Sequence, residues 1–210
     1  HGTFRFPIDN TKKYRYCIFA KKATNEGGIY LGPTNGSQPS IAVGRLDNGL
    51  RQTNPYFLFD KDFGTSEWVL LVGHVWPHTT AVGTANDPDT GVWSMDGTKM
   101  TEIVVVDYMT SSTTTEQGFR SFFYGDVTDD LNKAYFWQPR IDIVDGTEPS
   151  IQELLRIHPG IRMAMQDYTA PASQVLGFNA NFNASGVPYS VTSPNNFHAE
   201  EVGNGRYRVS

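Results

Sequence analysis

The sequence has one cysteine, few charges and no long apolar run, and each shortage removes a class of protein. A lone thiol, Cys17, excludes an intramolecular disulfide framework and any multi-cysteine metal site. Its place in a strand-like run marks it as a buried apolar residue. No apolar stretch approaches the roughly 20 residues of a membrane-spanning helix, so no membrane insertion is expected. Lys and Arg number 17 against 22 Asp and Glu, for a net charge of −5. The basic residues are scattered, so a surface that neutralises phosphates has no footprint and nucleic acid is not an expected partner. Neither a Gly-x-Ser-x-Gly nucleophile elbow nor a phosphate-cradling glycine loop is present.

What the chain does contain is turn formers and aromatics. Its 210 residues include 20 Gly, 12 Pro, 4 Trp, 10 Tyr and 13 Phe. That composition favours pleated surfaces and tight turns, and it holds enough large apolar side chains to bury a core. Strand-like runs are predicted over 3–8, 14–21, 29–31, 41–46, 67–76, 102–109, 118–125 and 134–144, with period-2 alternation clearest in 14–19. Asp47-Asn48-Gly49 is the strongest hairpin signal. Trp68 reads as core within the most apolar strand, and Pro139 marks an edge or a bulge in the last one. Ser150-Ile151-Gln152-Glu153 is a capping box that opens the single predicted helix, about two turns long. The expected architecture is all-β, a β-sandwich over 1–147 followed by a 148–210 extension of short helix and irregular or β structure. Within that extension, strands are expected over 174–182 and 206–209.

Sugar recognition requires flat apolar faces for ring C–H groups and planar polar side chains for hydroxyls. In turn-rich segments the candidates are Tyr56, Trp76, Trp93 and Trp137, with Asn54, His74, His78, Asp87, Asp89, Arg120 and Arg140 as polar partners. Trp76 and Trp93 flank Gly/Pro/Thr-rich loops and are the first choices for exposed platforms. Arg120 and Arg140 have an alternative role in ion pairs with Asp107 or Asp142. Asp87-Pro88-Asp89 and Asp126 to Asp130 could offer oxygen ligands to a structural Ca²⁺, although the spacing fits no EF-hand loop. No pair of carboxylates has a spacing that singles it out for glycoside hydrolysis. No other cofactor is implied.

The succession Phe6-Pro7-Ile8-Asp9, Lys12 to Tyr16, Asn54 to Phe57, Trp68 to Gly73, Gly91-Val92-Trp93 and Tyr135 to Asp142 resembles the jelly-roll carbohydrate-binding-type domains of phage tail fibres and adhesins. The resemblance covers about residues 3–147. It implies a jelly-roll sandwich, a cell-surface or polymeric glycan as partner, a homo-oligomer such as a trimer, and a place outside the cell or on a virion surface. The first strand of such a roll would precede His1, so the chain is expected to be part of a longer protein.

The function this implies is a non-catalytic carbohydrate- or receptor-binding domain. A structural virion or fibre protein without glycan binding is the first alternative. The second rests on His1-Gly2, which resembles the mature start of lytic polysaccharide monooxygenases. That resemblance implies a copper site from His1 with His74 or His78, and Tyr168 or Phe178 in the axial position. The residues after Gly2 depart from that family's pattern.

Overall fold

The computed structural model describes residues 5–34, 37–60, 62–65, 67–124, 132–156, 199–203 and 206–209. Two compact units divide the chain, His1–His158 and Pro159–Ser210. The first is an all-β sandwich with one short α-helix, as its composition predicts.

Four strands form one sheet in the order β1 (Arg5–Pro7), β11 (Glu116–Tyr124), β3 (Gly28–Pro33), β6 (Leu58–Asp60). The second sheet has eight strands. Its main path is β12 (Ala134–Ile143), β2 (Tyr14–Lys22), β7 (Val69–Trp76), β10 (Tyr108–Thr110), β4 (Val43–Arg45), β5 (Arg51–Gln52). Strands β8 (Gly91–Ser94) and β9 (Lys99–Met100) branch from β7. β7 and β10 run parallel, while the other paired strands of both sheets run antiparallel.

Alternation along β2 sorts its side chains into two cores. Tyr14, Tyr16, Ile18 and Ala20 point into the space between the sheets, where they meet Ile29 and Leu31 of β3 and Val69, Leu71 and Val75 of β7. Cys17 and Phe19 face the other way and join Leu70 and Val72 in a second cluster. Helix α1 (Ile151–Leu155) covers that cluster with Ile151, Leu154 and Leu155. Because the helix buries its apolar face on the sandwich, it belongs to the first unit, whose limit falls after His158 and not after residue 147. Its capping box forms as predicted, with Ser150 Oγ accepting from the Glu153 amide and the Glu153 carboxylate accepting from the Ser150 amide. Cys17 is 2% exposed, and burial pushes its thiol up to about 12, which leaves it unreactive.

The Asn48-Gly49 turn joins β4 to β5, with Gly49 at φ 72°. Pro139 lies on the edge strand β12, where the register shifts between Trp137 and Arg140 and Gln138 takes φ 49°. The strand expected over 102–109 is reduced to Tyr108–Thr110, because the preceding residues leave the ladder. There Val106 N–H bonds Phe57 O at 2.7 Å, and Asp107 turns inward.

In the second unit, β13 (Ala199–Gly203) pairs antiparallel with β14 (Arg206–Val209). The expected strand over 206–209 is therefore present, and the one over 174–182 lies outside the described residues.

Candidate functional site

The outer face of the four-stranded sheet carries aromatic rings where solvent-facing polar residues are usual. On β11, Phe119 and Phe123 pack inward, so Arg120, Phe122 and Tyr124 point out. On β3, Ile29 and Leu31 pack inward and Tyr30 points out. The register sets Phe59 opposite Tyr30 and Tyr30 opposite Phe122, which makes one aromatic row across three strands. Tyr30 and Phe122 have ring centroids 5.2 Å apart, and Tyr30 and Phe59 6.0 Å. At a strand spacing of about 4.8 Å the row is roughly 10 Å long. Phe59 is 52% exposed and Tyr124 75%.

Tyr56 completes the face from a loop. The chain at Pro55 crosses directly over Gly32, the next outward position on β3. A Cβ on Gly32 would lie 2.2 Å from Pro55 O. The crossing is held by the Phe57 amide on Leu31 O at 2.9 Å and by the Tyr108 hydroxyl, which accepts from the Tyr56 amide and donates to Tyr56 O. Tyr56 is thereby set on Tyr30, with ring centroids 4.3 Å apart. Arg120 lies 5.8 Å from the Tyr56 ring centroid and 5.6 Å from that of Phe122, within cation–π reach. Its Nη2 donates to Asn54 Oδ1 at 2.8 Å, and Asn54 Nδ2 donates to the Tyr56 hydroxyl. Burial raises the Tyr30 phenol above its ordinary value, Tyr56 adds to the rise, and Arg120 opposes it.

Gly32→Ala is expected to destabilise the protein by about 1–3 kcal/mol, since the obstructing atom is backbone. It should also lift the 54–56 loop off the sheet. Urea unfolding together with tyrosine resonances in NMR spectra would check both effects. An unchanged stability would show that the crossing is looser than the geometry indicates.

Of the residues singled out in the sequence, Asn54, Tyr56 and Arg120 therefore meet on this face, and the others lie elsewhere. Trp76 has its ring beneath the Lys13 ammonium, 3.5 Å from the centroid, and donates its indole N–H to Asp107. Trp93 and Trp137 pack into the cluster under α1, with Trp93 donating to Asp89 O and Trp137 set against Phe19. Trp68 lines that same cluster. His78 uses Nδ1 on Asn10 O at 3.0 Å. Arg140 pairs with Asp142, which also receives Arg15, both at 2.7 Å.

His74 belongs to a buried hub around Asp107, where both residues are at most 2% exposed. Asp107 Oδ1 accepts from the His74 amide at 3.1 Å and the Thr90 hydroxyl at 2.6 Å. Oδ2 accepts from Trp76 Nε1 at 2.9 Å and the Asp87 amide at 2.7 Å. Thr90 gives its single proton to Asp107, so the 2.7 Å contact with His74 requires Nδ1–H as donor. Nε2 is then the unprotonated nitrogen, 3.9 Å from Asp87 Oδ1. Burial, the largest influence, takes the imidazole down to about 3 against the pull of Asp87. Burial also raises the Asp107 carboxyl, opposed by the four hydrogen bonds it accepts. At Asp87, burial pushes upward, but the Lys13 ammonium and the hydrogen bond from the Asp89 amide help hold the carboxyl low. With His74, Thr90 and Asp107 all closed to solvent, the hub positions the 86–90 loop and offers no substrate access.

Metal chemistry finds no centre among the described residues, where no three His, Cys, Asp or Glu side chains converge. Asp87 is engaged by Lys13 and by the Asp89 amide. His1, Asp126 to Asp130, Tyr168 and Phe178 lie outside the described residues.

Sequence reasoning missed Tyr30, Phe59, Phe122 and Tyr124 on the aromatic face, and Lys13 and Thr90 at the hub. The period-2 signal in Phe119-Arg120-Ser121-Phe122-Phe123-Tyr124 was available for two of them, since it puts aromatics on both faces of one strand. Comparisons with protein-family models, curated proteins and solved structures found no match to this chain.

Proposed function

We propose that the protein is a non-catalytic carbohydrate-binding domain whose ligand lies across the outer face of the four-stranded sheet. The observation that carries this reading is the row Phe59–Tyr30–Phe122 with Tyr56 set against it, flanked by Asn54 and Arg120. Tyr30 at the centre is 7% exposed beneath Tyr56, so the rings open to a ligand are Phe59 and the half-buried Tyr56 and Phe122. Large rings left open on a sheet surface forgo burial, which is unfavourable unless something apolar covers them. The C–H faces of pyranose rings fit such a row, and its length suits a short stretch of a polysaccharide. Planar amide and guanidinium groups beside the rings match sugar hydroxyls in the same plane.

Each stacking contact is weak, about 1 kcal/mol beyond area burial. A fibre or adhesin that presents several copies would multiply such contacts into useful avidity.

Binding to a broad array of bacterial, algal and plant glycans tests the proposal. A selective hit is expected, and Tyr56→Ala should weaken it about tenfold at unchanged fold, as the loss of one central aromatic anchor. Trp93→Ala, under the helix, should not alter affinity in the protein that remains folded. Absence of any glycan hit, with and without calcium, would overturn the reading in favour of a purely structural subunit.

A further inference from the structure

We infer that the aromatic face selects a sugar carrying a carboxylate, with Arg120 as the residue that recognises it; the inference rests on the carbohydrate-binding reading above. Among the residues that make up the face, Arg120 bears the single formal charge. Among the described residues no carboxylate pairs with it, although the other arginines that form ion pairs (Arg5, Arg15, Arg45 and Arg140) each have an acidic partner. Among the described residues its guanidinium is held by neutral groups, on Asn54 Oδ1, against the Tyr30 phenol and beside the rings of Tyr56 and Phe122. Nη1 is enclosed and has no hydrogen-bond partner among the described residues.

An enclosed donor without an acceptor is unfavourable, and a charged acceptor relieves it more strongly than a neutral one. Asn54 Oδ1 already shows where an acceptor sits relative to the fork. Asn54 itself is exposed on a loop, so it can yield its place to a ligand. A carboxylate in the place of Asn54 Oδ1 brings two acceptor oxygens and a charge to the guanidinium, where a hydroxyl brings one oxygen and no charge. The net charge of −5 opposes the non-specific collection of anions, so selectivity has to come from this local geometry.

The test uses matched pairs. Polygalacturonate, alginate, hyaluronate and polysialic acid are each titrated against the intact protein beside their carboxyl-reduced, neutral forms. At least one acid is expected to bind about tenfold more tightly than its reduced partner, the gain of one charge-assisted contact. Arg120→Gln should bring the two forms to equal affinity, and Arg120→Lys should recover only part of the preference. Equal binding of the acidic and reduced forms by the unaltered protein would overturn the acid selectivity and leave the sugar-binding reading standing. Binding of neutral array glycans alone would do the same. No binding of any polymer would overturn both. Equal affinity for a sulfated polymer of the same charge density would show simple anion attraction and reject carboxylate recognition. Should Arg120→Gln fail to fold, the matched pairs on the unaltered protein still decide.

Discussion

Asp107→Asn is expected to cost about 2–4 kcal/mol of folding stability, although it changes one oxygen to a nitrogen. The carboxylate accepts four hydrogen bonds, two on each oxygen, and Asp107 is fully buried. An asparagine turned one way sets its NH₂ against the Trp76 indole N–H and the Asp87 amide, neither of which can reverse its role. Turned the other way, it meets the Thr90 hydroxyl, which can reverse and donate to His74 instead, but it still opposes the His74 amide. Either orientation strands at least one buried donor, at about 1–3 kcal/mol each, and gives up a bond to a charged acceptor. For a domain of this size the loss corresponds to roughly 10 °C in Tm. Thermal unfolding followed by tryptophan fluorescence reads both the stability and the release of Trp76. A change below about 0.5 kcal/mol would show that the four contacts are not what holds the 86–90 loop.

The second large effect is a loss of stability on acidification that originates in His74. In the unfolded chain this imidazole takes up a proton around its ordinary value of 6.5, and in the folded protein only at about 3. Between those values the unfolded chain binds the extra proton and the folded protein does not, so stability falls as pH falls. The slope is about 1.4 kcal/mol per pH unit for one fully resolved proton. Asp87 acts in the same sense lower down. Its carboxyl is held below the ordinary range, so its contribution is present above the unfolded value and lost as pH falls through the folded one. Asp107 and Asp89 act in the opposite sense, because burial raises both carboxyls and the folded state takes up their protons first. The His74 contribution is isolated by subtraction. Urea unfolding from pH 7 to 4 on the unaltered protein and on His74→Asn, whose amide can still donate to Thr90, should give a shallower pH dependence in the variant. Parallel curves would mean that the folded imidazole takes up its proton at its ordinary value, and a variant that loses stability more steeply would mean that pairing with Asp87 keeps His74 protonated.

These two predictions concern a hub that no local pattern announced. His74, Thr90 and Asp107 stand 16, 17 and 33 residues apart in pairs, and none of the three lies in a recognisable motif. The sequence places Asp107 within the strand expected over 102–109, or as the ion-pair partner of Arg120 or Arg140. It turns inward because the chain before it bonds to Phe57, and β10 then begins one residue later beside β7. The aromatic face was half legible. Tyr56, Asn54 and Arg120 stood out as residue types suited to sugars, whereas the choice of Trp76 and Trp93 as platforms followed from their neighbouring loops. A flanking loop says nothing about what covers a ring, and here Lys13 covers one while the helix cluster takes in the other.

By itself, the sequence determined what depends on a residue and its near neighbours. The β class followed from aromatics and turn formers, the helix from its capping box, the β4–β5 turn from Asn48-Gly49, and the interrupted edge strand from Pro139. These are short-range consequences of φ/ψ preference and missing donors, which act before the chain has any tertiary contacts. The tertiary structure alone decided which aromatics face outward and which polar groups are enclosed. Both depend on strand register, where a shift of one residue exchanges the two faces. They depend also on the close passage of Pro55 over Gly32, a contact between segments that only the folded sandwich brings together.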